Sequence, residues 1–235
     1  MDLTARMVLL RSLPFFGGLP ETRLTRLAAG AAVSSHAPGA LIAGRDREGD
    51  AFYVVASGRA RIFRMDREGR EQTLYVLGPG EPFCLCSLVD AGEPPALAAA
   101  LEPARVLAFP ARALAEATRE DPEVLFDLLK LLCRRLKEAM AMIESLALRD
   151  LPGRVAAFLL HQAAAAQPGQ GAGQQVRLAV SQRELAKIVG ATPEALSRVL
   201  RHLSEAGLLT VKGRDVTLRD RAGLAREAGL TPEGV

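Results

Sequence analysis

SQRELAKIVGATPEALSRVLRHLSEAG, residues 181–207, holds two short helical patterns separated by a glycine. Ser181 with Glu184 has the spacing of a capping box, in which the serine hydroxyl accepts from the Glu184 amide. A helix over Gln182–Val189 then stops at Gly190, a residue suited to a left-handed turn. Thr192-Pro193-Glu194 opens a second helix, with Thr192 as cap and Pro193 in its first turn. Leu185, Ala186, Ile188, Leu196, Val199 and Leu200 fall on the sides that face each other. Glu194, Ser197, Arg198 and Arg201 are left outward. Two short helices about a tight glycine turn make a helix-turn-helix. Beyond Gly207, Leu208–Val211 and Val216–Leu218 flank Lys212-Gly213-Arg214-Asp215, which reads as a hairpin with a basic turn, so the motif is winged.

The chemistry follows from that placement. The N-terminal half of the second helix enters the major groove. There Arg198 can donate twice to guanine O6 and N7, and Glu194 can accept from a cytosine N4 amine. Ser197 has no fixed base preference. Ser181, Gln182, Thr192, Arg201, Lys212 and Arg214 are the other expected DNA contacts, the last two to phosphates. Charge agrees: residues 150–235 hold 11 Lys/Arg against 8 Asp/Glu, whereas residues 1–149 hold 19 of each. The whole basic excess sits in the DNA-reading third.

Upstream, Asp121-Pro122-Glu123 starts a long helix in which Leu125, Leu128, Leu132, Leu136, Ala139, Ile143 and Leu146 recur in steps of three and four. Such a seam predicts a parallel helix pairing in a homodimer, through the helix Leu125–Leu146. Asp150-Leu151-Pro152-Gly153 interrupts it, with Asp150 as cap of the next helix. Gln167–Gln175 reads as a Gly/Gln-rich loop and Val176–Val180 as a short strand. From Gly39 to Pro110 the runs Phe52–Val55, Arg61–Arg64 and Thr73–Leu77 are β-rich, punctuated by Gly58, Gly69, Gly80 and Gly92. Turns at that spacing point to a jelly roll. The expected class is α+β: a β-roll sensor domain over 1–120, a dimerisation helix over 121–149 and a winged helix-turn-helix domain over 150–235.

Composition limits the function. Three cysteines, Cys84, Cys86 and Cys133, are too few for a disulfide framework. The N-terminus lacks signal-peptide character and no apolar run approaches a membrane span, so a cytoplasmic protein without a membrane partner is expected. There is no HExxH, P-loop lysine or Gly-x-Ser-x-Gly, and the β-region offers only His36 as an imidazole ligand, so an enzyme is not expected. A cytoplasmic adaptor that binds an effector but not DNA is the competing class; it would have no use for the wing.

The order of roll, long helix and winged motif resembles the cyclic-AMP receptor and fumarate-nitrate reduction regulator family across roughly Leu13–Leu218. The most specific stretches are Gly49–Gly58, Leu77–Glu81, Asp150–Arg154 and Glu184–Leu203. The resemblance implies a homodimer on a pseudo-palindromic double-stranded operator, with RNA polymerase as a partner if the protein activates. Glu194, Ser197 and Arg198 match the Glu-x-x-Ser-Arg reading triad of the fumarate-nitrate branch. Pro193 stands where the cyclic-AMP branch has a base-reading arginine.

The sensor side departs from both main branches. Where the nucleotide cassette has Gly-Glu and, ten residues on, Arg-Ser, this chain has Cys84-Leu85 and Pro95-Ala96. The adenine-contacting Thr-Ser becomes Ala139-Met140. Cyclic AMP is therefore not expected. Three cysteines cannot supply the four thiolates of an iron–sulfur cluster. Phe83-Cys84-Leu85-Cys86-Ser87 resembles the Phe-Cys-x-His-Ser segment of the carbon-monoxide-sensing haem branch, with Cys84 on the ligand cysteine and Cys86 on the histidine. The resemblance implies haem b sensing NO or CO, with Cys84 as iron ligand in a pocket lined by Leu136, Met140 and Ile143. His36 is a distal ligand by residue type alone, while His161 and His202 are expected to be structural. A redox or apolar effector without haem is the alternative, since both cysteines can equally be small core residues or a thiol switch. Effector binding is expected to repack the seam and swing the winged domains about Asp150–Gly153.

Overall fold

The structure, a computed structural model, describes residues 1–13, 16–43, 51–85, 95–166 and 174–230. The chain divides into two compact units, Met1–Lys137 and Glu138–Val235.

In the first unit, helices α1 (Leu3–Arg11) and α2 (Glu21–Gly30) precede eight strands. These are β1 (Ala32–His36), β2 (Leu41–Ala43), β3 (Ala51–Ser57), β4 (Ala60–Met65), β5 (Glu71–Leu77), β6 (Pro82–Phe83), β7 (Leu97–Ala100) and β8 (Ala104–Pro110). They form two antiparallel four-stranded sheets, ordered β1-β8-β3-β6 and β2-β7-β4-β5. The expected β-rich runs thus lie within β3, β4 and β5, and the jelly-roll arrangement is observed. Gly92 lies outside the described residues.

The first sheet is apolar on both faces, which is why β3 lacks a polar alternation. Val55 and Val106 point into the roll with Ile42, Leu77 and Phe83. Phe52, Val54, Leu107 and Phe109 point outward, under helices that contribute Leu10, Leu24 and Leu27. Phe52 pairs with Phe109 across the β3–β8 ladder and their rings stack 4.8 Å apart. At Gly58, between β3 and β4, φ is 76° and a Cβ would lie 2.3 Å from the Pro103 carbonyl oxygen, so only glycine fits.

Helix α3 (Ala111–Glu120) leads into α4 (Pro122–Leu148), whose 27 residues contribute to both units. Val124, Leu128 and Leu131 are buried against the first unit's core. A different stripe is exposed: Phe126, Leu129, Leu136, Met140 and Ile143, with Leu125 and Leu132 flanking it. Of the expected seam, Leu125, Leu132, Leu136, Ile143 and Leu146 are exposed and two residues are not. Leu128 is 6 % exposed and belongs to the core, and Ala139 is half-buried. The exposed stripe also takes in 126, 129, 133 and 140. Apolar residues lie on two sides of this helix, so spacing by threes and fours can be phased either way.

The second unit continues with α5 (Leu151–Ala166), β9 (Gln174–Arg177), α6 (Gln182–Ile188), α7 (Pro193–Glu205), β10 (Leu209–Lys212), β11 (Asp215–Leu218) and α8 (Arg221–Glu227). Its sheet is ordered β10-β11-β9. The strand expected over Val176–Val180 starts two residues earlier and ends at Arg177, because Gln174–Arg177 pairs with Leu218–Asp215. Asp150 caps α5 as expected, its carboxylate accepting from the Gly153 amide at 3.0 Å. Among the described residues no helix is long and apolar enough to cross a membrane.

Candidate nucleic-acid interface and sensor site

Local chemistry builds the reading face. Ser181 has extended dihedrals and its hydroxyl accepts from the Glu184 amide at 3.2 Å. The exit from α6 is a Schellman turn: Gly190 adopts φ 64° and the Ala191 amide donates to the Ala186 carbonyl at 2.8 Å. Thr192 then caps α7, accepting from the Ala195 amide at 3.2 Å, with Pro193 in the first turn. Leu185, Ala186, Leu196, Leu200 and Leu203 are buried, locking the two helices together. Ile188 and Val199, also expected at this contact, are half-buried.

That packing turns Thr192, Glu194, Ser197, Arg198 and Arg201 outward, and all are exposed. Lys212 and Arg214 are exposed on the wing, either side of Gly213. The Gln182 side-chain amide donates to the Gly213 carbonyl at 3.4 Å, so this expected DNA contact also ties α6 to the wing. The Glu194 carboxyl is held below the usual carboxylate range. Hydrogen bonds from its own backbone amide and the Thr192 hydroxyl lead, and the Arg198 and Arg183 charges add to them. It is thus an ionised acceptor at neutral pH. Among the described residues Glu194 and Arg198 form no contact ion pair. Arg183, exposed on α6, was not singled out from the sequence; its position two residues after a helix cap was the available signal. His161 and His202, expected to be structural, are both exposed.

In the sensor unit, Cys84 is half-buried and packs against the roll interior beside Phe83. Its φ is 58°, a left-handed conformation shown by no other non-glycine residue among those described. The conformation costs an L-residue about 1–2 kcal/mol, and it is that of a glycine, the residue type expected here in a nucleotide cassette. Tyr53 stacks on Phe83 at 5.1 Å, so aromatic rings fill this side of the interior. On α4, Arg135 pairs with Glu81 at 2.9 Å and lies over the Tyr75 ring, whose hydroxyl donates to the Arg135 carbonyl at 3.3 Å. Leu136, Met140 and Ile143 are 62, 61 and 66 % exposed. His36 lies in β1, 2.7 Å from the Ser34 hydroxyl, and Cys86 lies outside the described residues. A cavity of about 350 Å³ between α2 and α3, edged by Arg23, Arg26 and Arg112, contains none of the expected effector residues.

A β-roll, a long helix with an exposed apolar stripe and a winged helix-turn-helix define a transcription regulator rather than an enzyme. The Cyclic nucleotide-binding domain family matches residues 33–121 and the Crp-like helix-turn-helix domain family matches residues 153–227. The Cyclic AMP receptor protein of Thermus thermophilus is 38 % identical over 174 residues, covering 74 % of this chain and 77 % of that protein. The CRP-like cAMP-activated global transcriptional regulator of Mycobacterium tuberculosis is 32 % identical, covering 77 % and 80 %. The solved structure of FixK2 from Bradyrhizobium japonicum is similar with a TM-score of 0.69 and 27 % identity, over 83 % of this chain and 96 % of that one. This chain belongs to the Crp/Fnr family of DNA-binding transcription regulators.

Proposed function

We propose that the chain works as a homodimer, paired through the exposed α4 stripe, that reads a two-fold symmetric operator under the control of an effector other than cyclic AMP. The observation that carries it is the outward array of Glu194, Ser197 and Arg198 on α7, whose start is fixed by the Thr192 cap. In each protomer α7 enters the major groove and the wing meets phosphate. The relatives named for cyclic AMP make the nucleotide the natural rival. Against it stand Cys84-Leu85 and Pro95-Ala96, which offer neither the carboxylate nor the cation and hydroxyl that would hold a ribose phosphate. A gel shift against a selected palindrome at fixed salt is expected to show binding well above random DNA, unaltered by cyclic AMP. No shift above random DNA would sink the regulator reading, and stimulation by cyclic AMP would sink the effector reading.

For the effector, haem b sensing NO or CO is the first choice. The residues fit it in part. Cys84 is a half-buried thiol at the edge of an apolar interior, and Leu136, Met140 and Ile143 offer apolar surface. Bound haem would supply an iron able to take up a diatomic gas. The chain's own task is to hold that iron with the Cys84 thiolate and to shift the population of α4 packings with it. The second reading, a thiol-based redox effector without haem, is favoured by the Tyr53–Phe83 stack that already occupies the interior. Spectra with added haemin separate them. A thiolate-type Soret band lost in Cys84→Ala supports haem; no band in either protein, with DNA binding altered by oxidation, supports the thiol switch.

A further inference from the structure

We infer that Arg149 and α8 form a strut between the end of the long helix and the recognition helix, and that this strut sets the half-site spacing the dimer accepts. The inference rests on the operator reading proposed above. Arg149 directly follows α4, its amide donating to the Ser145 carbonyl at 3.2 Å. Its side chain is only 18 % exposed. Nε donates to the carbonyl of Ala228, the C-cap of α8, at 2.8 Å, and Nη2 reaches Glu144 Oε1 at 3.1 Å. One guanidinium therefore lies beside the C-terminal ends of two helices, where the partial negative charge of terminal carbonyls favours a cation.

The path continues through α8 without a gap. Its start is capped by the Asp220 carboxylate, which accepts from the Gly223 amide at 2.8 Å. The amides of Arg219 and Asp220 both donate to the Leu208 carbonyl, at 2.8 and 3.1 Å. The Leu208 amide donates to the carbonyl of Leu203, a buried residue of α7, at 3.0 Å. Packing leaves α8 little play. A Cβ on Gly223 would lie 2.5 Å from Leu208 Cδ2, and one on Gly153 would lie 2.9 Å from the Glu227 carbonyl oxygen. The segment Asp150–Gly153 is thereby braced by α8 from one side. A swinging hinge there would have to give up the Arg149–Ala228 bond. With it in place, the direction in which α7 leaves the dimer helix is fixed, and with that direction the distance between two recognition helices.

The test uses the full chain and a palindrome selected from random DNA. Binding is compared on that palindrome, on versions with one or two base pairs inserted between half-sites, and on a single half-site. In the wild type the inserted versions are expected to bind at least about tenfold more weakly. Arg149→Ala should lower affinity for the optimal palindrome and shrink that discrimination to within about threefold, while half-site affinity is unchanged. Glu144→Gln, which leaves the Ala228 contact in place, should keep the wild-type discrimination. Arg149→Lys, which can satisfy one partner at a time, should fall between and serves if the alanine variant does not fold. Undiminished discrimination in Arg149→Ala or Arg149→Lys, or a matching loss on the single half-site, overturns the inference while leaving the operator reading intact. A wild type that selects no operator overturns the operator reading, and this inference with it.

Discussion

The arginines packed on the β-roll and the basic side chains on the outer face of the winged motif are used in opposite ways. In the β-roll, charge is spent internally. Arg61, 9 % exposed, pairs with Glu71 at 2.8 Å and lies 4.0 Å over the Phe63 ring, and Arg135 pairs with Glu81. In the winged unit, the side chains of Arg198, Arg201, Lys212 and Arg214 stand exposed with no intrachain hydrogen bond or contact ion pair among the described residues. A buried, paired guanidinium is committed to the fold, because removing its partner strands a charge. An exposed and unpaired one costs the fold little and keeps its donors for an outside anion. The lesson is that charge content says little about where nucleic acid binds, whereas satisfaction of that charge within the chain says much.

That contrast can be broken most directly with the same substitution at both ends. Arg61→Met takes the guanidinium away from the half-buried Glu71 and should destabilise the first unit by about 2 kcal/mol; Arg198→Met should change stability by less than about 0.5 kcal/mol. Urea unfolding read for each variant checks this, and equal losses would erase the distinction. Next in size, Arg198→Ala should weaken operator binding by about 1–3 kcal/mol per half-site while leaving random DNA almost unaffected. A uniform loss would move Arg198 from base reading to phosphate contact. Lys212→Ala and Arg214→Ala should each lower the salt slope of binding by about one unit per half-site without changing sequence preference. Fluorescence anisotropy across a salt series measures it.

The smallest effect concerns Glu194. Its carboxyl is held low by its own amide, the Thr192 hydroxyl and nearby arginines. A depressed folded-state value means that its favourable interactions are fully present above the ordinary carboxylate range and are lost only as pH falls through the lowered value. Operator preference at the Glu194-read position should therefore persist through mildly acid pH and fade only below it. In Glu194→Gln the preference should be weak and flat across the same pH series.

The winged unit was legible because its signals are local. Ser181, Gly190, Thr192 and Pro193 act on backbone within a few residues, and each occupies the cap or turn expected of it. The roll's identity was legible from its alternating strands and glycine turns, but its details were set by distant pairing. The β4–β5 bulge between Ile62 and Phe63 and the double burial of β3 depend on partners far along the chain. Leu128 fell on the expected seam but is buried, because both sides of α4 are apolar and only contact with the roll decides which residues stay exposed. The left-handed Cys84 is invisible to propensity, since nothing in a cysteine demands that conformation. Arg149 was passed over for a related reason: its partner, Ala228, is a backbone carbonyl 79 residues away.

The exposed stripe on α4 has a consequence for gene control that is independent of any effector. Phe126, Leu129, Leu136, Met140 and Ile143 form a face that one chain alone leaves in water, and the proposed pairing of two copies would remove it. Assembly through that face would then follow mass action. At chain concentrations below the dimer dissociation constant, operator occupancy would rise with the square of the amount of protein, so a modest change in expression becomes a sharper change in output.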